Sequence, residues 1–156
     1  MVRQLHLRPN SMLFSKTCEY AFRATTVVAA ASRNGERPTL SDIAERTASP
    51  TAFTAKVLQD LVRAGILSSR RGPGGGFDLP PIQARKVSLR MIMDAVGDDA
   101  VDTDCVMGLH ECRASHPCPL HHNFVQMKQE MARILDTTYV HDLVDAYNNG
   151  RTHLKR

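Results

Sequence analysis

The chain has no apolar run long enough to cross a bilayer, where a spanning helix needs roughly 20 consecutive apolar residues. Its best run, Ala24 to Ala31, is short and interrupted by Thr25 and Thr26. No secretory leader is evident: residues 1–11 hold Arg3 and Arg8, but no apolar stretch follows them. A cytoplasmic location is therefore expected. The 4 cysteines, in a cytoplasmic chain, are not read as a disulfide scaffold. Internal repeats are absent, and so is a phosphate-binding loop: the glycine-rich RGPGGGF lacks the Lys-Ser/Thr that follows a Walker glycine. There is no His-x-Glu partner of a zinc deaminase either. These gaps leave little on which to build an enzyme.

What is present fits an ordinary globular protein, one domain with an appendage, at 42% hydrophobic and 23% charged residues over 156 positions. The net charge of +4 agrees with a polyanionic partner, and its distribution says more. From Lys56 to Arg90 lie Lys56, Arg63, Arg70, Arg71, Arg85, Lys86 and Arg90 against only Asp60 and Asp78. From Asp94 to Glu111 there are six acidic residues and no lysine or arginine.

The basic stretch carries the clearest pattern, TLSDIAERTASPTAFTAKVLQDLVRAGILSSRRGPGGGFDL from Thr39 to Leu79. Thr39 with Asp42 three residues on forms a capping box for one helix. Ser49 is placed to cap the next, with Pro50 at its first helical position. Phe53, Val57, Leu58, Leu61 and Val62 recur at helical spacing, and Gly65 ends the pattern. Ile66 to Arg71 and Phe77 to Leu79 read as strands around a glycine tip. Two short helices and a basic hairpin predict a winged helix-turn-helix, which offers a helix to the major groove of duplex DNA and a wing to the flanking backbone. Lys56 points off the apolar stripe, toward guanine or phosphate. Arg70 or Arg71 should alternate onto the DNA face, where Gly74 and Gly75 let the backbone approach closely.

The remaining organisation is simpler. Residues 1–11 read as a disordered extension and 12–97 as the DNA-binding domain. Within it, Ser15 starts a first helix that ends at Gly35, Pro80 and Pro81 stop the second wing strand, and Ser88 caps a short helix with Leu89, Ile92, Met93 and Val96 inward, closed by Gly97. Residues 98–118 read as an irregular acidic loop, 119–148 as one long helix and 149–156 as a flexible tail. Along the long helix Leu120, Phe124, Met127, Met131, Ile134 and Thr138 alternate in fours and threes, a coiled-coil seam. At 1.5 Å per residue that helix would reach about 40 Å, so a homodimer is expected to form on it. The fold class is accordingly mostly α: a winged helix-turn-helix with a long C-terminal dimerisation helix.

The acidic loop contains DCVMGLHECRASHPCPLHHNF. Six residues separate Cys105 from Cys112, five separate Cys112 from Cys118, and His121 lies three beyond. Three thiolates and an imidazole suit zinc, Cu(I) or an iron–sulfur cluster. Structural zinc sites draw ligands two to four residues apart, so the wider spacing suits a larger group. Unrelated reduced thiols and a metal-free thiol switch remain alternatives. Cys18, alone in the first helix, reads as a small buried hydrophobe.

The pattern from MLFSKTCEYAFRA at Met12 through RGPGGGF to the three-cysteine loop resembles the Rrf-type bacterial winged-helix regulators, relatives of IscR and NsrR. The resemblance runs from residue 12 to about 148. It implies a homodimeric transcription regulator, a repressor by expectation, whose operator binding responds to an iron–sulfur cluster (2Fe–2S or 4Fe–4S) on Cys105, Cys112 and Cys118. IscR-like members place five residues between the first two loop cysteines, one fewer than here. His121 matches their histidine ligand. In NsrR-like members an acidic residue from the partner's first helix completes the set, and that position is Glu19. The resemblance further places Pro50, Ala52, Phe53 and Lys56 at or near the groove, although Phe53 also fits the apolar stripe, and Ser49 beside them is counted with the same DNA-binding surface. A cluster-free thiol- or metal-responsive regulator, a metal-dependent enzyme and a protein-interaction adaptor are the rival readings.

Overall fold

A computed structural model describes residues 13–110, 112–150 and 152–154. The extension expected at residues 1–11 lies outside the described residues. Helix α1 (Lys16–Arg33) begins at Ser15, whose hydroxyl accepts the Cys18 N–H at 3.2 Å, and its C-terminal residues turn through Gly35 at φ +76°. Helix α2 (Leu40–Thr47) starts with the expected box: Thr39 takes the Asp42 N–H, and the Asp42 carboxylate takes the Thr39 N–H at 2.8 Å.

Helix α3 (Thr51–Arg63) corrects the capping expected of Ser49. Pro50, not Ser49, is its N-cap residue, and no side chain caps it. The Ser49 hydroxyl instead lies between those of Thr47 and Thr54, 2.6 Å from each. Those neighbouring hydroxyls compete successfully for it, while the Pro50 carbonyl takes the Thr54 N–H at 2.9 Å.

The first wing strand is shorter than expected and the second begins one residue earlier: β1 is Ser68–Arg70 and β2 Gly76–Asp78, antiparallel with Ser69 opposite Phe77. Ile66 and Leu67 drop out because their N–H groups bond the Leu61 carbonyl at the end of α3, and both side chains are buried. The Phe77 N–H bonds the Pro38 carbonyl at 3.0 Å, tying the hairpin to the link between α1 and α2.

The proline pair does more than stop a strand, since Pro81 opens helix α4 (Pro81–Ala84). Helix α5 (Leu89–Ala95) is capped by Ser88 as expected. The stretch expected to be irregular contains helix α6 (Ala100–Thr103), held by the buried Val101.

The single long helix does not form. It is divided into α7 (His121–Thr137), roughly 25 Å long, and α8 (Val140–Asn148). Thr138 is extended (φ −97°, ψ 125°), its carbonyl accepts the Leu89 N–H at 3.0 Å, and the Val140 N–H bonds the Val87 carbonyl at 2.9 Å. This two-bond bridge to the segment before α5 replaces helical bonds, and Asp142 then caps the restart by accepting the Tyr139 N–H at 2.8 Å. Helix α8 returns across α1. Past it, in the expected tail, Leu154 packs against the main core.

Two apolar clusters result. The larger joins α1, α2, α3, the wing base, α4, α5 and α8 around Val27, Ile43, Leu58, Leu61 and Leu79. The smaller joins α1, α5, α6 and α7 through Cys18, Met93, Val101 and Leu135.

Candidate nucleic-acid interface and cysteine site

On α3 the buried residues are Thr54, Val57, Leu58 and Leu61. Thr51, Ala52, Lys56, Gln59 and Arg63 are exposed on the other side. Arg63 is held by Asp60 at 3.2 Å. Phe53 is half-buried, and its ring stands edge-on to Tyr20 with centroids 5.2 Å apart. Tyr20 in turn carries the Arg23 guanidinium 4.2 Å from its ring centroid. Phe53 thus serves as the wall between α1 and α3, as the apolar stripe implied. Gln59 and Thr51 escaped the sequence reading. The signal was there, since Gln59 follows Lys56 by three residues and faces away from Val57 and Leu61.

Arg70 and Arg71 are exposed on the wing. Its tip turns through Gly72 and Gly74 at positive φ, with the Gly75 N–H bonded to the Gly72 carbonyl at 2.9 Å. A Cβ at Gly75 would collide with the Arg70 carbonyl oxygen. The base of the wing is fixed by the Arg37–Asp78 ion pair at 3.1 Å.

The loop beyond α6 gathers its cysteines. Cys105 and Cys118 are buried, and Cys112 is half-buried. The Cys105 carbonyl accepts the Gly108 N–H at 2.8 Å, and Gly108 has φ +70°. That turn aims the Met107 and Leu109 N–H groups at the Cys105 sulfur. Together with the Cys118 thiol and the Lys128 ammonium, they hold the Cys105 pKa below the ordinary thiol value, against some desolvation. At the start of α7, His121 is buried, its N–H bonds the Cys118 carbonyl at 2.9 Å, and its Nδ1 lies 3.5 Å from the Cys112 sulfur. The candidate ligands therefore meet as two pairs, Cys105 with Cys118 and Cys112 with His121. Among the described residues no three His, Cys, Asp or Glu side chains converge closely enough to hold a single metal ion. Glu19 lies on α1, where its carboxylate pairs with Lys16 at 2.8 Å. Cys18 is fully buried, and burial with the nearby Asp98 carboxylate pushes its pKa far up, so it stays a neutral thiol.

Residues 14–146 match the Rrf2 family, described as an iron-dependent transcriptional regulator. The chain belongs to that family. An HTH-type transcriptional regulator of Aquifex aeolicus (strain VF5) is 31% identical over 137 residues, covering 86% of this chain and 92% of its own length. The IscR of Pectobacterium atrosepticum is 29% identical over 126 residues, covering 81% of this chain and 75% of its own. Among solved structures, CymR, the global cysteine regulator of B. subtilis, superposes with a TM-score of 0.67 at 16% identity, covering 93% of this chain and 98% of that one. The IscR of T. potens does so with 0.65 at 18% identity, covering 88% and 90%. As an Rrf2 member this protein is a DNA-binding transcription regulator with a winged helix, not an enzyme. No helix among the described residues is long and apolar enough to cross a membrane.

Proposed function

We propose that this Rrf2 regulator is a cytoplasmic homodimeric repressor whose operator affinity depends on an iron–sulfur cluster held by Cys105, Cys112, Cys118 and His121. The observation that carries the reading is the pairing of four soft or borderline donors at the foot of α7. Two pairs of ligands match a group with two metal centres better than a lone ion, which needs one tight tetrahedron. The donor set fits chemically: Cys105 is already biased to thiolate by the Met107 and Leu109 N–H groups, the Cys118 thiol and the Lys128 ammonium. When bound, a cluster supplies a centre that oxidants and small ligands can alter. The protein's own residues fix the loop, aim the sulfurs and tie the loop to the DNA-binding unit.

The DNA side of the proposal assigns Ala52, Lys56 and the N-terminal turn of α3, with Ser49 and Pro50 ahead of it, to the major groove. Arg70 and Arg71 are assigned to phosphate or minor-groove contacts beside the Gly74–Gly75 tip. The dimer side rests on Leu120, Met127 and Ile134, spaced by sevens along α7 and exposed at 40%, 47% and 41%. Such a stripe, unburied within one chain, suits a second copy of the same helix. Each α3 would then read half of a roughly palindromic operator.

The test is anaerobic purification with a visible spectrum and an iron and sulfide assay. Brown protein whose colour is bleached by Cys105→Ala, Cys112→Ala and Cys118→Ala, but not by Cys18→Ala, supports the cluster. His121→Ala should shift the spectrum and Glu19→Ala leave it unchanged; the reverse would assign the fourth position to Glu19 of the partner subunit. Colourless protein with three titratable thiols rejects the cluster. The low Cys105 pKa would then favour a thiol-responsive regulator of the same fold.

A further inference from the structure

We infer that Asp98 is the joint through which the cysteine loop acts on the DNA-binding unit. This rests on the reading of that loop as the sensor. Asp98 is the first residue after the Gly97 turn, and only 5% of it is exposed. Its Oδ2 accepts the Ser15 N–H at 2.6 Å, and its Oδ1 accepts the Ala100 N–H at 3.0 Å. The Cys18 thiol hydrogen-bonds the same carboxylate. One side chain therefore joins the start of α1 to the start of α6.

The chemistry makes this joint stiff. A buried carboxylate is stable only while its hydrogen bonds are made, and bonds to an ionised acceptor are short and strong. The positive end of the α1 dipole favours the charge where it sits. A small displacement of α6 must therefore carry Ser15 along or break the bonds. Cys105 lies two residues beyond α6, and Val101 packs α6 against Cys18, Met93 and Leu135. On the far side, α1 delivers Tyr20 to Phe53 of α3, and the Arg23 guanidinium donates to the Thr47 carbonyl at the helix-turn-helix corner, 3.2 Å away. A second tie steadies the arrangement: Arg90 on α5 reaches Asp102 of α6 at 2.7 Å and Asp136 of α7 at 3.1 Å. Continuous packing alone does not establish coupling, so the joint needs a test that separates it from general stability.

Operator affinity is measured for anaerobically loaded and cluster-free protein, and the ratio of the two is compared between variants. Coupled sites commonly differ by roughly 5–150-fold, and Asp98→Asn should bring the ratio close to one while the visible spectrum persists. Ser15→Ala is the control: it removes the α1 cap but keeps the N–H that bonds Asp98, so stability should fall while the ratio holds. An unchanged ratio in Asp98→Asn overturns the inference. Equal collapse in both variants also overturns it, because loosening of α1 would then be the cause. A second measurement needs no variant: hydrogen exchange at residues 15–19 of wild-type protein should slow on loading. Equal exchange in the two states rejects the joint even if Asp98→Asn does not fold. Wild-type protein that binds operator equally well in both states rejects the sensor reading itself.

Discussion

Lys56 and Arg71 stand exposed on different elements, and each carries one charge whose removal can be read separately. Loss of one phosphate contact lowers the salt slope of DNA binding by about one unit whatever the sequence, whereas loss of a base contact weakens discrimination by roughly 1–3 kcal/mol. Arg71→Ala is expected to do the first and Lys56→Ala the second, in titrations of operator and unrelated duplex at several salt concentrations. Unchanged titrations for both would place the interface elsewhere. The caps offer a test of stability at the same scale. Bonds from the Thr39 backbone and hydroxyl hold the Asp42 pKa below its ordinary 3.8. A carboxyl depressed in the folded state contributes stability that is present above the unfolded pKa and lost as pH falls through the folded one. Asp42→Asn should therefore flatten the acid limb of the stability profile below about pH 4, while Thr39→Ala should cost about 1 kcal/mol at neutral pH. Thr39, Asp42 and Ser88 were legible in the sequence because a cap is decided within four residues. Ser49 was not, because its hydroxyl is claimed by Thr47 and Thr54, a competition set by how α2 meets α3.

Helix α7 shows where periodicity stops being informative. Leu120 to Thr138 keeps a heptad-like spacing, and nothing in that spacing marks the break at Thr138. The break comes from residues 87–89, about fifty positions earlier in the chain, whose backbone pairs with residues 138–140. The β-branched pair Thr137–Thr138 before Tyr139 was the one local hint, since such residues favour extended backbone. The consequence bears on the proposed dimer. Met131, part of the same seam, is half-buried and packs toward the smaller core, whereas Leu120, Met127 and Ile134 stay on the outside. A substitution at Met131 would confuse folding with assembly. Met127→Asp with Ile134→Asp is the cleaner choice, because both positions are exposed in one chain and would bury unpaired carboxylates only between two. Sedimentation should report a folded monomer with weakened operator binding. A double variant that still sediments as a dimer would move the interface off α7.

Across the whole molecule, the two apolar clusters divide the work between reading DNA and holding the cysteine loop. The larger was readable in outline, since Val57, Leu58 and Leu61 on α3 and Ile92 on α5 announced themselves by spacing. The smaller was readable only in part: Met93 shows the same inward spacing as Ile92 and Cys18 reads as a buried thiol, but four separate elements supply its members and Val101 lies in a stretch that read as irregular. Cys18 was recognised as a buried thiol, but its partner Asp98 was counted only among the acidic charges. Leu135 is 1% exposed and anchors α7 to this cluster. Truncating a buried leucine to alanine costs roughly 2–5 kcal/mol through lost transfer energy and the cavity left behind. Because Leu135 does not belong to the larger cluster, Leu135→Ala should loosen α6 and α7 before it affects α2 and α3, with α5 held between them by Ile92 in the larger cluster and Met93 in the smaller. Hydrogen exchange should then show protection falling first in residues 100–103 and 121–137, with residues 40–63 retained until global unfolding. The DNA-binding unit itself should stay folded, whereas a cluster should not be retained and operator binding should weaken as α7 loosens its hold on a second copy. Uniform loss of protection along the chain would mean that the two clusters unfold as one, and the division between them would have no energetic meaning.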